Sequence, residues 1–196
     1  MEVTVTGENG ASAEGTVHGG WSATSFQNGR HEDTQWLLEH MDDFGTDRCE
    51  NHFNVGWAWA LDSPFQWMKQ VASHFGGTRN AMVLSLPDQI KDQGGLRSQF
   101  HHVIDIVPTI LELVGIDEPE KVNGITQSNI QGDSMVYSFA DEKLKSTHET
   151  QYFEILGNRG IYHDGWIASC FHGRLPWIRY AGYAFDGPQE IWELYN

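Results

Sequence analysis

Cysteine is nearly missing from this chain: there are two in 196 residues, Cys49 and Cys170. That excludes a disulfide scaffold and leaves one bridge or two free thiols. Neither cysteine sits in a C-x-x-C spacing, so a structural zinc site built on thiolates is excluded too. Cationic residues are scarce, 12 Lys and Arg against 27 Asp and Glu, for a formal net charge of −15. A surface of that sign does not bind nucleic acid through its phosphates and avoids anionic membranes. No apolar run approaches the roughly 20 residues that cross a bilayer. Met1 leads straight into Glu2 and a strand-like stretch rather than into a secretory leader, which leaves the compartment open. Internal repeats and low-complexity tracts are also lacking.

Aromatic residues, by contrast, are plentiful. Eight Trp, ten Phe and six Tyr stand in a chain that is 39% hydrophobic, enough for a packed core. The length suits one domain, or one domain with a small appended subdomain.

The order of elements follows from pattern. Val3-Thr4-Val5-Thr6 reads as a short strand, and "TGENGASAEG" (6–15) as a glycine-rich loop after it. "DTQWLLEHMDDFG" (33–45) carries Trp36, Leu37, Met41 and Phe44 at helical spacing behind the caps Asp33 and Thr34. "SPFQWMKQVASHFGG" (63–77) predicts a second helix, with Ser63 as N-cap, Pro64 at the first position and Gly76-Gly77 as its stop. "NAMVLSLP" (80–87) is a buried-strand candidate. "DIVPTILELVG" (105–115) is the clearest helix: Asp105 caps it, Pro108 falls in the first turn, and Gly115 closes it. Ile106, Ile110, Leu111, Leu113 and Val114 are its expected buried face. Residues 116–133 read as a connecting loop.

The last third changes character. "QYFEILGNRGIYHDGWIASC" (151–170) holds three β-like runs parted by the turn signals Gly157-Asn158 and Asp164-Gly165, and "IWELYN" (191–196) adds a fourth. The expectation is an α/β domain over 1–148 and a small antiparallel β subdomain over 149–196. The chain reads as cut at both ends, in mid-fold.

Several stretches in order then carry a resemblance: "GENGASAEG", "WAWALDSPFQWMKQVASHFGGTRN", "FHHVIDIVPTILELVGI", "VNGITQSNIQGDSM" and "TQYFEILGNRGIYHDGWIA". Together they resemble the C-terminal part of bacterial arylsulfatases, type I sulfatases of the alkaline-phosphatase-like superfamily, over about residues 5–196. The resemblance implies a large mixed sheet flanked by helices, followed by a four-stranded antiparallel sheet packing with a C-terminal helix. It also implies hydrolysis of a sulfate-ester small molecule. The nucleophile in such enzymes is a formylglycine made from Cys or Ser in a C/S-x-P-x-R motif, beside one divalent cation, usually Ca2+. That motif and the family's aspartate pair are not in this chain, which would therefore be inert alone.

Residue by residue, Glu8-Asn9 matches the family's D-N-G metal loop, with glutamate in place of aspartate. Hard oxygen donors of this kind suit calcium, which tolerates the longer side chain better than magnesium. Without the family, an E-N-G after a strand is simply a turn. Lys69 matches a lysine that pairs with the sulfate, where an ammonium stabilises charge as the ester breaks; without the family it is a solvated lysine. His101 and His102 are adjacent, cannot face one site, and suit structural hydrogen bonding. Cys170-Phe171-His172-Gly173-Arg174 has the outline of the nucleophile motif but lacks its proline, and reads as coincidence. Trp57, Trp59, Phe65 and Trp67 read as core. Two other readings compete: a phosphonate or phosphate ester hydrolase of the same superfamily, and a stand-alone, non-catalytic interaction module. An amputated sulfatase should self-associate through exposed sheet surface.

Overall fold

The computed structural model of the protein describes residues 2–6, 9–178 and 190–196. In chain order its elements are β1 (Glu2–Thr6), α1 (Ala23–Gln27), α2 (Thr34–Glu39), α3 (Val55–Asp62), β2 (Ala81–Ser85), α4 (Ile106–Val114), β3 (Lys121–Val122), β4 (Ile125–Thr126), β5 (Thr150–Ile155), β6 (Asn158–His163), β7 (Trp166–Cys170) and β8 (Trp192–Tyr195). Short 3-10 turns lie between them. The architecture is mixed α and β, with few helices and small sheets: β1 beside β2, the hairpin β3-β4, and a four-stranded sheet in the order β5-β6-β7-β8. No helix among the described residues is long and apolar enough to cross a membrane. The chain resolves into two compact units, one of Met1–Thr4, Val83–Gln151 and Tyr162–Gly165, the other of Val5–Met82, Tyr152–Ile161 and Trp166–Asn196.

The four-stranded sheet follows the expectation from its turns. Two residues join β5 to β6 and β6 to β7, a length that only antiparallel neighbours accept. Asp164 (φ +44°) and Gly165 (φ +91°) form the second connection as anticipated. The first is shifted by one residue. Leu156 (φ +55°) and Gly157 (φ +83°) make the turn, while Asn158 opens β6 and is buried. β8 pairs antiparallel with β7, setting Ile167 opposite Tyr195 and Cys170 opposite Trp192. Both cysteines are free thiols.

In the first unit, α4 forms where the sequence places it. Gly115 ends it in the left-handed conformation (φ +67°), its N–H donating to the Glu112 carbonyl, and the Ile116 N–H reaches the Leu111 carbonyl. Its burial is not the expected one. The buried residue of α4 is Thr109, whose hydroxyl donates to the Asp105 carbonyl at 2.6 Å and accepts the Met135 N–H at 2.9 Å. Ile110 and Val114 are 36% and 58% exposed, and Ile106, Leu111 and Leu113 only partly covered. A helix apolar on several faces has buried its polar seam here and left an apolar one open. The loop 116–133 contains the β3-β4 hairpin, and Gly132 lies against the Ile104 carbonyl with no room for a Cβ.

In the second unit, Asp33 caps α2 by accepting the Gln35 and Trp36 N–H groups, and Asn54 caps α3 by accepting that of Trp57. The helix expected over 63–77 is absent: α3 ends at Asp62, and the segment runs through turns to a 3-10 turn at Phe75–Gly77. Trp67 (φ +64°) and Gln70 (φ +79°) are left-handed, and the Lys69 and Gly76 amides bond the Ala11 and Gln66 carbonyls. Gly76 and Gly77 explain this outcome. Side chains there would overlap the carbonyls of Gln66, Trp67, Met68 and Val71, so backbone lies directly on backbone. The helix-like apolar spacing is real, but the irregular segment buries it: Met68, Val71 and Ser73 are wholly enclosed, Met68 packing with Ala13 and Ala58. The expected aromatic core residues divide. Trp57 and Trp59 are 63% and 48% exposed, whereas Trp67 stacks on Phe171 at 4.1 Å and Phe65 meets Phe75 edge-on.

Candidate functional site

Of the three residues singled out by the sequence, Glu8 lies outside the described residues. Asn9 is described, exposed and left-handed at φ +62°, a conformation that asparagine accepts more readily than most residues. Lys69 is half-buried in the turn after Met68, not on a helix. Sixty residues separate the two in sequence, yet the backbone just after Asn9 meets that of Lys69. The Lys69 N–H donates to the Ala11 carbonyl at 3.1 Å. A Cβ on Gly10 (φ +84°) would press on the Lys69 nitrogen and overlap the Gly76 carbonyl oxygen. Glycine is required at position 10 on both counts.

The rest of the loop is pinned along its length. The Ala11 N–H is shared by both carboxylate oxygens of Asp62, at 2.9 and 3.0 Å. Burial pushes the Asp62 carboxyl above the usual aspartate range, opposed by that hydrogen bond. Glu14 accepts from the Ser12 hydroxyl at 3.0 Å and from the Gln70 amide at 2.8 Å, and His52 Nε2 lies 3.7 Å from it. Gly15 packs on the Phe53 carbonyl. Gln70 is held in turn by Asn158, whose amide donates to its carbonyl at 3.1 Å while accepting the His172 N–H at 3.0 Å. The loop bearing Asn9 and the turn bearing Lys69 are thus fastened by a carboxylate, a carboxamide and two glycine contacts.

The sequence did not single out Asp62, Glu14 or Gln70, and marked Asn158 only as a turn residue. Glu14 offered a weak signal, an acid five residues beyond Asn9, and Asp62 none. His74, two residues before Gly76, is buried. Its Nδ1 is 2.9 Å from the Ser73 hydroxyl and its Nε2 3.5 Å from Glu193. Burial lowers its pKa, which Glu193 partly offsets.

The paired histidines sit in the first unit, around Asp105. That carboxylate is 0% exposed and accepts the His102 N–H at 2.7 Å and the Asp133 N–H at 2.9 Å. His148 Nδ1 lies 2.8 and 3.0 Å from its two oxygens, and a carboxylate only accepts, so this nitrogen carries the proton. His148 Nε2 faces the Gln151 side chain at 3.1 Å, and Phe100 packs its ring edge-on at 5.5 Å. Asp105 therefore joins three segments, and its side chain makes no capping bond to the first turn of α4, where the sequence placed a cap. His101 Nδ1 is 3.9 Å from the same carboxylate, and burial lowers the pKa of both His101 and His102. His102 makes the expected hydrogen bonds, its N–H to Asp105 and its ring Nδ1 accepting the Ile104 N–H at 3.5 Å, whereas neither ring nitrogen of His101 has a hydrogen-bond partner among the described residues; His148 was missed, and nothing in its local sequence marks it. Cys170 is fully buried in β7.

Among the described residues no group of three or more His, Cys, Asp or Glu is disposed to hold a metal ion. Asn9 stands as a single exposed hard-oxygen donor on a loop with a fixed backbone. Set against known proteins, the chain matches no family model and no curated protein.

Proposed function

We propose that this chain is part of a sulfuric ester hydrolase of the arylsulfatase type, with an alkaline-phosphatase-like fold. In this proposal Glu8 and Asn9 contribute oxygen ligands to one divalent cation, calcium or magnesium, and Lys69 pairs with the sulfate. The observation that supports it is the junction of the Asn9–Ala11 loop with the Lys69 turn, through the Lys69 N–H to Ala11 carbonyl bond and the glycine contact at position 10. Two segments that the resemblance puts in one site are adjacent; Glu14 joins them through the Gln70 amide, and Asp62 holds Ala11 of the loop.

The donor chemistry fits a hard cation: Asn9 offers an amide oxygen and Glu8 a carboxylate, and calcium takes six to eight such ligands, so most of the shell comes from elsewhere. When bound, the cation neutralises charge on the sulfate. Lys69 adds a compact ammonium to the oxyanion as the ester bond breaks. In this proposal the backbone junction keeps the two segments together, and positioning of this kind contributes to rate. The exposed seam of α4, with Val107, Ile110 and Val114, favours a part that packs against further structure over a self-sufficient module.

The test is reconstitution. The purified chain with calcium and 4-nitrophenyl sulfate should show no turnover. Joined to a sulfatase segment bearing the C/S-x-P-x-R motif, it should turn over, and Lys69→Ala should lower kcat/KM by about 100-fold. Turnover by the isolated chain, or a joined enzyme indifferent to Lys69, would sink the proposal. A joined enzyme that prefers phenyl phosphonate to the sulfate would move the reading to the phosphoryl branch of the superfamily.

A further inference from the structure

Beside the Asn9–Ala11 loop opens a cleft of about 450 Å3, of the size that takes a single small organic ligand. Gly10 and Ala11 form part of its wall, so the loop and the cleft share residues. Phe53, Leu61 and Ala81 give it apolar sides, and Arg79 and Asn80 give it polar ones.

Arg79 differs from three other arginines of the chain. Arg48 pairs with Asp43, Arg97 with Asp92 and Arg159 with Glu190. Arg79, in a chain with more than twice as many acids as bases, pairs with no carboxylate among the described residues. Its guanidinium lies instead 4.8 Å from the centroid of the Phe65 ring and 5.8 Å from that of Phe75, and those two rings meet edge-on. Cation–π contact holds the planar fork in place without using its N–H donors. Asp62 is the one carboxylate on the cleft wall among the described residues, and it directs both oxygens to the Ala11 N–H. The cleft wall thus carries one arginine steadied by two rings and one carboxylate that accepts a single backbone N–H.

We infer that this cleft is a subsite for an aryl carboxylate, the ring lying against Phe53 and Leu61 and the carboxylate on Arg79. Guanidinium and carboxylate match as a two-point hydrogen-bonded pair, which a lysine cannot reproduce. The binding stands on the cleft alone. That the ligand is the organic half of a sulfate ester rests on the proposed hydrolase activity.

Titrating the full 196-residue chain with 4-hydroxybenzoate, followed by amide NMR shifts, tests it. Saturable shifts are expected at Gly10, Ala11, Phe53, Asn80 and Ala81, with a Kd on the order of 1 mM, as suits a fragment of this size. Neutral 4-hydroxybenzyl alcohol should bind about tenfold more weakly, and so should the benzoate to Arg79→Gln, with Arg79→Lys in between. No saturable binding, or equal Kd values for the acid and the alcohol, overturns the inference. The acid–alcohol contrast uses the unaltered protein and so holds even if Arg79→Gln fails to fold. No turnover is read, so failure here leaves the hydrolase proposal intact. Loss of Lys69-dependent turnover would likewise leave the subsite standing.

Discussion

Two aspartates, Asp105 and Asp62, do the same chemical work in different surroundings. Each accepts backbone N–H groups from a distant segment. Asp105 is sealed, its oxygens taken by His102, Asp133 and His148. Asp62 serves one N–H, that of Ala11, and lines an open cleft. The sealed carboxylate defines fold: three segments depend on it and no solvent or ligand reaches it. The half-open one defines a place where something binds, because it fixes a loop while leaving space beside it.

The contrast should be plainest when the carboxylates are removed. Asp105→Ala strands two backbone N–H groups and the His148 N–H in a dry interior, and should cost about 3–5 kcal/mol in urea unfolding. An effect below about 1 kcal/mol would mean that Asp105 is not the anchor described. Gly10→Ala comes next. A methyl at a left-handed position facing a carbonyl should cost about 2–4 kcal/mol, and the loss should be concentrated in hydrogen exchange of the 9–15 and 66–71 amides. Unchanged exchange there would separate the loop from the Lys69 turn.

Removing Asp62 should cost less, about 1–2 kcal/mol for Asp62→Ala, since one N–H regains water in the cleft. The pH dependence carries its own sign. The folded state of Asp62 favours the protonated form, so its contribution is fullest below the ordinary aspartate pKa of 3.8 and is lost as pH rises through the higher folded value. Asp62→Asn should therefore gain stability relative to the unaltered protein between pH 4 and 6, measured by thermal melts; a gain with falling pH would refute the assignment. The smallest effect is histidine-linked. His74, His101 and His102 all have folded pKa values below the ordinary 6.5, so their contribution is complete above that pH and lost as pH falls through the lower folded values. A melting temperature that is flat from pH 7 to 5 would contradict this.

The start of α2, the bounds of α4 and the four-stranded sheet were legible in the sequence, because the determinants there are local. Gly115 ends α4, Asp33 caps α2, and Asp164-Gly165 turns a hairpin within a few residues of each. The 63–77 segment was not legible. Its apolar spacing is helical, and what overrides it is contact between backbones far apart in sequence, at Gly10, Gly76 and the carbonyls of 66–71. The same holds for α4, whose apolar residues exceed the partners available among the described residues. At the proposed site, Asn9 and Lys69 were suggested by resemblance, not by pattern. Asp62, Arg79 and His148 were invisible because a lone acid, base or histidine gains meaning only from what the fold sets beside it.

The glycine contact also governs how such a protein can change. Positions 10 and 76 admit no side chain, and Asp62 is committed to Ala11. Phe53, Leu61, Asn80 and Ala81 line the cleft without any of these duties. Ligand preference is therefore free to drift by substitution along the cleft walls while the spacing of Asn9 from Lys69 stays fixed. The molecule separates the part that must be invariant from the part that selection can tune.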